Sequence, residues 1–217
     1  MIPSLQMHRF EFIVRNSDNK ILDVGCNDTS LWAFERWYPS YPTKRYINEI
    51  MFFDCDVWLP LWLKDPKFVR GDALNLPFKN NTFDTIVFGD VLEHVADPLK
   101  ALQDAKRVTK NKIVITLPCE SEWTVGEMSH SDKNVVNTYC GYDDKIDRQE
   151  IKATLEHPTT MAKCVSAISD AKYKHIWHQQ LFNDESIIVL LNNLNMKYNI
   201  SKLYYVNLVT YGIVCYK

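Results

Sequence analysis

The residues best placed to do chemistry form an ordered series in the first half of the chain. Ile21-Leu22-Asp23-Val24 is a short apolar run interrupted by one acid, and it breaks into the small-residue stretch Gly25-Cys26-Asn27-Asp28. A strand that ends in such a turn lets backbone come close to a bound ligand, because glycine has no side chain and adopts φ above zero freely. Two acids, Asp54 and Asp56, then follow an apolar run, Asp72-Ala73 follow Gly71, and Asp90, Leu92, Glu93 and His94 follow Val87-Phe88-Gly89. Carboxylates at strand ends can accept hydrogen bonds from hydroxyl and amino groups, and a histidine can carry a proton.

Those residues need strands and helices to position them. Short apolar runs alternate with helical stretches from residue 20 to 118, which argues for βαβ units and a mainly parallel sheet. Strands are expected at Lys20–Val24, 50–56, Phe68–Arg70, 85–88 and 113–117, with helices over 31–38 and 98–109. Asp97 can cap the second of these helices and Pro98 suits its first position. Its residues Leu99, Leu102, Ala105 and Val108 make the stripe expected to face the sheet. Pro39 to Arg45 reads as a loop, and the end of the chain as a helix over Asp184–Leu194, a strand over 197–200 and a last strand within 204–216. There is no internal repeat and no low-complexity segment.

In order and spacing, the Asp23-to-Gly25 turn, the Asp54/Asp56 strand end, Gly71-Asp72-Ala73-Leu74-Asn75-Leu76-Pro77-Phe78 and Phe83 through Val95 resemble the motifs of class I S-adenosylmethionine-dependent methyltransferases, in particular small-molecule members of the type 11/12 kind. The resemblance covers residues 20–118 well and the rest in outline. It implies an α/β fold with a Rossmann-like open sheet, mainly parallel with an antiparallel last strand, and helices on both faces. It also implies one domain over 1–217 with a substrate-side insertion at about 119–178.

The cofactor implied is S-adenosyl-L-methionine. By the resemblance Asp23 orders the turn and the amino end of the cofactor, and Gly25, Cys26 and Asn27 form the turn packed against it. The usual second and third glycines are replaced here, and Asn27 is the residue that tolerates positive φ. For the ribose hydroxyls Asp56 is favoured over Asp54. Asp72 would accept from the adenine amino group while the Ala73 backbone donates to a ring nitrogen, and Leu74, Leu76 and Phe78 could pack near the ring or in the core. Asp90 and Leu92 fall where the transferable methyl should point. A dinucleotide is disfavoured because the three-glycine turn that cradles a pyrophosphate is absent.

Methyl transfer from a sulfonium is an in-line displacement whose activation resides in the cofactor, so the protein aligns donor and acceptor and excludes water. A hydroxyl acceptor also benefits from a base. Glu93 and His94 after the fourth strand, and His178 in the run Trp177-His178-Gln179, are the candidate catalytic residues, with a positioning role preferred for His94. His130 and His157, beside Glu127, Asp132 and Glu156, raise the question of a metal-assisted reaction. Their spacings match no strong ligand motif, so no metal is expected. Trp123, Tyr139, Tyr142 and Trp177 could stack on a flat acceptor or serve the core.

The bulk numbers narrow the acceptor. The 217 residues are 46% hydrophobic and 24% charged, with net charge −2 and a pI near 6.3, so the phosphate-neutralising basic surface of a nucleic-acid binder is not expected. Lys106-Arg107 with Lys110 and Lys112 read as a solvated helix end. Leu117-Pro118-Cys119-Glu120 also lacks the Asn/Asp-Pro-Pro-aromatic motif of amino-methylating members. No apolar run reaches the roughly 18 to 20 residues that cross a bilayer, the N-terminus has no secretory pattern, and the six scattered cysteines suit a reducing cytoplasm. The expectation is a cytoplasmic enzyme methylating a small molecule, on an oxygen of a sugar, nucleotide-sugar or other metabolite, with neither nucleic acid nor membrane as partner. The alternatives are a non-catalytic cofactor-binding protein and a nucleic-acid methyltransferase.

Overall fold

The computed structural model of the chain describes residues 5–26, 32, 49–55, 67–119, 182–205 and 208–217. They form a seven-stranded sheet from β1 (Lys20–Val24), β2 (Glu49–Asp54), β3 (Phe68–Arg70), β4 (Phe83–Gly89), β5 (Thr109–Pro118), β6 (Lys197–Tyr205) and β7 (Leu208–Tyr216). The spatial order is β3-β2-β1-β4-β5-β7-β6. Strands β1 to β5 pair in parallel, and β7 enters antiparallel between β5 and β6. Order therefore reverses between β1 and β4, and an open sheet of this kind binds ligands at the carboxyl ends of its strands beside that point.

Alternation along each strand separates two cores. Leu22, Val24, Ile86, Phe88, Ile113 and Ile115 face the helices α2 (Pro98–Val108) and α3 (Asp184–Leu194). Ile21, Val87, Val114 and Val214 face α1 (Leu5–Asn16), which contributes Phe10, Ile13 and Val14. Strands buried on both faces read as continuous apolar runs, which is why Ile113 to Leu117 was legible as a strand. Asp23 lies two residues after Ile21 and so shares the α1 face.

Helix α2 starts as expected, with Asp97 accepting from the Lys100 N–H at 3.0 Å and Pro98 in the first turn. Its buried stripe is Ala101, Leu102, Ala105 and Val108, while Leu99 is only half-buried, because the face turns at 3.6 residues per turn rather than three. Helix α3 matches its expected span and opens on a reciprocal cap between Asn183 and Ser186. Helix α1 has no counterpart among the elements expected from the sequence. Phe12 of α1 lies on Gly212 of β7, where an added Cβ would stand 2.8 Å from its ring.

The basic residues around α2 also bond within the chain. Lys106 caps the end of α3 through the Leu194 and Asn195 carbonyls, both at 2.9 Å, and Lys112 pairs with Asp18 at 3.0 Å. The helix expected over 31–38 lies outside the described residues apart from Trp32, as does all of 120–181.

Candidate cofactor site

The turn after β1 is built around Gly25, whose φ of +74° lies in the left-handed region. A Cβ there would stand 2.4 Å from Val91 Cγ2, so the position accepts glycine alone. The Gly25 and Cys26 N–H groups both donate to the Phe53 carbonyl, at 2.8 and 3.2 Å. Those two bonds lock the turn against β2 one residue before Asp54. Cys26 is buried beside Phe10 and Trp32, and burial pushes its thiol above the usual range, so this cysteine offers a ligand backbone only.

Asp23 is 2% exposed and accepts from the Trp32 indole N–H at 2.8 Å. Burial pushes its acid up to about 7 against the pull of the Trp32 hydrogen bond, with the Asp54 charge adding to the rise and Arg9 opposing it. Half-buried Asp54 ends β2 in register with Arg70 of β3, and its carbonyl accepts from Gly71 N–H at 2.9 Å. Asp72 follows, with its Oδ1 accepting from the Leu74 N–H at 2.9 Å and its carbonyl accepting from Asn75 N–H at 2.9 Å. Ala73 packs half-buried against the α2-side core. Three adjacent strands thus present a carboxylate at or just beyond their carboxyl ends.

The tip of β4 is organised differently. Asp90 has φ +55°, unusual for a residue other than glycine or asparagine, and its carboxylate is fully engaged. Oδ1 accepts from Thr116 Oγ1 at 2.7 Å, and Oδ2 pairs with Arg9 at 2.8 Å. Leu92 is fully buried in the α2-side core, and Glu93 is 1% exposed. His94 closes the short 3₁₀ turn Leu92–His94, half-buried, with its N–H donating to the Val91 carbonyl at 2.9 Å.

Residues 56–115 match a family model described as a methyltransferase domain. An uncharacterised protein of Methanocaldococcus jannaschii is 33% identical over 109 residues, which are 50% of this chain and 43% of that one. A demethylmenaquinone methyltransferase of Paenarthrobacter aurescens is 54% identical over 48 residues, 21% of this chain and 18% of that one. Among solved structures, an S-adenosylmethionine-dependent methyltransferase from Aquifex aeolicus superposes with a TM-score of 0.52 at 14% identity, covering 95% of this chain and 85% of its own. The chain has the class I S-adenosylmethionine-dependent methyltransferase fold. The matched stretch spans less than half the length of these two curated relatives.

Within this methyltransferase fold, Asp23, Gly25, Cys26, Asp72, Ala73, Asp90, Leu92, Glu93 and His94 all lie at the carboxyl ends of β1, β3 and β4, the edge the sequence analysis chose. The Leu92 side chain packs the core, so its backbone alone is available there. Asn27, Asp56 and His178 lie outside the described residues, together with His130, His157, Glu127, Asp132, Glu156, Trp123, Tyr139, Tyr142 and Trp177. Among the described residues no cluster of three or more metal-ligating groups occurs, and no helix is long and apolar enough to cross a membrane.

Sequence reasoning missed Arg9, Trp32 and Thr116, which reach this edge from elements that carry no motif, and gave no role to Val91 inside the Phe83-to-Val95 motif. One sequence trace is Thr116, a polar residue inside the apolar run Ile113 to Leu117.

Proposed function

We propose that this chain transfers a methyl group from S-adenosylmethionine to a small-molecule acceptor, on an oxygen of a sugar, nucleotide-sugar or similar metabolite. The observation that carries the reading is the succession of Asp23, Asp54 and Asp72 at or just beyond the ends of three adjacent strands, around a turn that accepts only glycine. The donor set suits this cofactor's chemistry, which offers an ammonium, two ribose hydroxyls and an adenine amino group. All of these can donate to carboxylates.

In this reading Asp23 faces the amino end of the cofactor and the Gly25-Cys26 backbone lies along its length. Asp54, set directly beside the turn by the bonds from Gly25 and Cys26 to Phe53, is placed to take the ribose hydroxyls, while Asp56, the acid favoured from sequence, lies outside the described residues. Asp72 and the Ala73 backbone read the adenine. The bound cofactor supplies a methyl group already activated by its sulfonium charge. The chain's own part is to hold the acceptor in line, keep water out and deal with one proton. His94 stands on the turn after β4, where its imidazole orients an acceptor hydroxyl or takes its proton, and His178, which lies outside the described residues, is the second candidate for that role. Glu93 is a positioning group beneath the turn, in keeping with its burial. The substrate-side insertion expected at about 119–178 lies outside the described residues apart from Cys119.

A small acceptor is supported by the net charge of −2, and the relative named demethylmenaquinone methyltransferase is in keeping with it. Incubation with methyl-labelled S-adenosylmethionine and a fractionated cell extract tests the acceptor class. Label in the small-molecule fraction is expected. Label confined to nucleic acid, or to no fraction, would contradict it.

A further inference from the structure

The stretch between β3 and β4 carries Asp72 and Ala73, and its shape is set from helix α2, not from the sheet alone. Asp104 Oδ2 accepts from the Leu76 N–H at 2.5 Å, and Arg107 Nη2 donates to the Leu76 carbonyl at 2.8 Å. Both polar groups at Leu76 are therefore bound by one helix. Arg107 Nη1 also donates to the Phe78 carbonyl at 2.6 Å and to Asn80 Oδ1 at 3.2 Å. The guanidinium is itself held on Asp104, with Nε to Oδ1 at 2.6 Å and Nη2 to Oδ2 at 3.1 Å. Only a planar fork of donors meets so many acceptors at once, and a lysine ammonium cannot.

The rest of the stretch hangs from these anchors. Asn81 and Thr82 N–H groups donate to the Arg107 and Val108 carbonyls at 3.1 and 2.8 Å, fixing the far end. Gly71 N–H on the Asp54 carbonyl fixes the near end at 2.9 Å. Between them, Asp72 is tied to Leu74 and Asn75 in a tight turn that runs straight into Leu76. With Asp72 Oδ1 spent on the Leu74 N–H, Oδ2 is the oxygen offered to a ligand. Its height above the sheet follows from where Leu76 is clamped.

We propose that Asp104 and Arg107 are positioning residues of the adenine subsite, holding the Leu76 to Phe78 backbone so that the Asp72 carboxylate meets the adenine amino group. The inference rests on the cofactor reading given above. A purely structural clamp would lower stability without altering which base is preferred. A positioning clamp alters the preference, and it does so through Asp72.

The test is calorimetric titration of the wild-type protein, Arg107→Met, Asp72→Asn and the double variant, each below its melting temperature. The two ligands are S-adenosylhomocysteine and its inosine analogue, in which oxygen replaces the adenine amino group. The wild-type protein should prefer the adenine ligand by about tenfold or more, the worth of one well-placed hydrogen bond to a charged group. Arg107→Met should lose most of that preference, as should Asp72→Asn, and the double variant should be no worse than the weaker single one within about threefold, since coupled residues are not additive. A folded Arg107→Met with wild-type affinity and preference would overturn the proposal, as would losses that multiply. If Arg107→Met does not fold, Arg107→Lys is read by the same criteria. A wild-type protein that binds neither ligand would overturn the cofactor reading itself, an outcome distinct from the others.

Discussion

Arg9 of the N-terminal helix and Asp90 at the tip of β4 form a 2.8 Å ion pair, with side-chain exposures of 8% and 23%. The pair joins α1 to the edge of the sheet where the cofactor is proposed to bind, and Thr116 holds the other Asp90 oxygen. Removing one partner of such a pair leaves a charge in a poorly solvated place. Arg9→Met is expected to lower unfolding stability by about 2 to 4 kcal/mol in a urea titration. Asp90→Asn should cost less than Asp90→Ala, because asparagine tolerates positive φ and still accepts from Thr116. Equal losses in the two Asp90 variants would show that neither feature matters.

Asp23 makes both stability and binding depend on pH. Its folded acid is raised from 3.8 to about 7, so between those values the native protein binds more protons than the unfolded chain. The stability Asp23 contributes is therefore fully present below the unfolded value and lost as pH rises through the folded one. Asp23→Asn should flatten this part of the stability profile and gain on wild type at pH 8. Binding should run the other way, because a cationic ligand needs the carboxylate ionised. Affinity for S-adenosylhomocysteine should rise by about tenfold from pH 6 to 8, following the ionised fraction of a group near 7. Asp23→Asn should show no such rise.

Gly25 combines positive φ with contact to Val91. Gly25→Ala should cost about 1 to 3 kcal/mol of stability and remove measurable cofactor binding. Adding Val91→Ala relieves the steric part alone. The double variant should then recover some stability in thermal melts while staying below wild type.

Tyr211 serves as a control away from the cofactor edge of β1 and β2. It is buried and donates to Asp184 Oδ1 at 2.6 Å, which itself pairs with Lys202 at 3.0 Å. Tyr211→Phe leaves the carboxylate short of one donor and should cost about 1 to 2 kcal/mol. Its affinity for S-adenosylhomocysteine should match the wild-type value.

The parts of the fold that could be read in the sequence are those governed by local chemistry. Asp97-Pro98 announced the start of α2, the apolar run Ile113 to Leu117 announced β5, and Gly25 announced the turn, because capping, burial on both faces and positive φ each leave a residue-level mark. Other parts depend on partners distant in the chain. Nothing near Arg9 foretells Asp90, 81 positions away, and nothing near Arg107 foretells Leu76. Nothing near Asp54 foretells that the Gly25 and Cys26 N–H groups bond to the Phe53 carbonyl beside it, and Asp56, favoured from its neighbours, lies outside the described residues.

The most direct test of the cofactor assignment is calorimetric titration of the wild-type protein with S-adenosylmethionine and S-adenosylhomocysteine, run beside Asp54→Ala. Single-site binding in the micromolar range to the wild-type protein, weakened at least about tenfold in a folded Asp54→Ala, is the expected result. No heat and no thermal shift with either ligand would contradict the cofactor site, and full affinity in Asp54→Ala would contradict its ribose anchor.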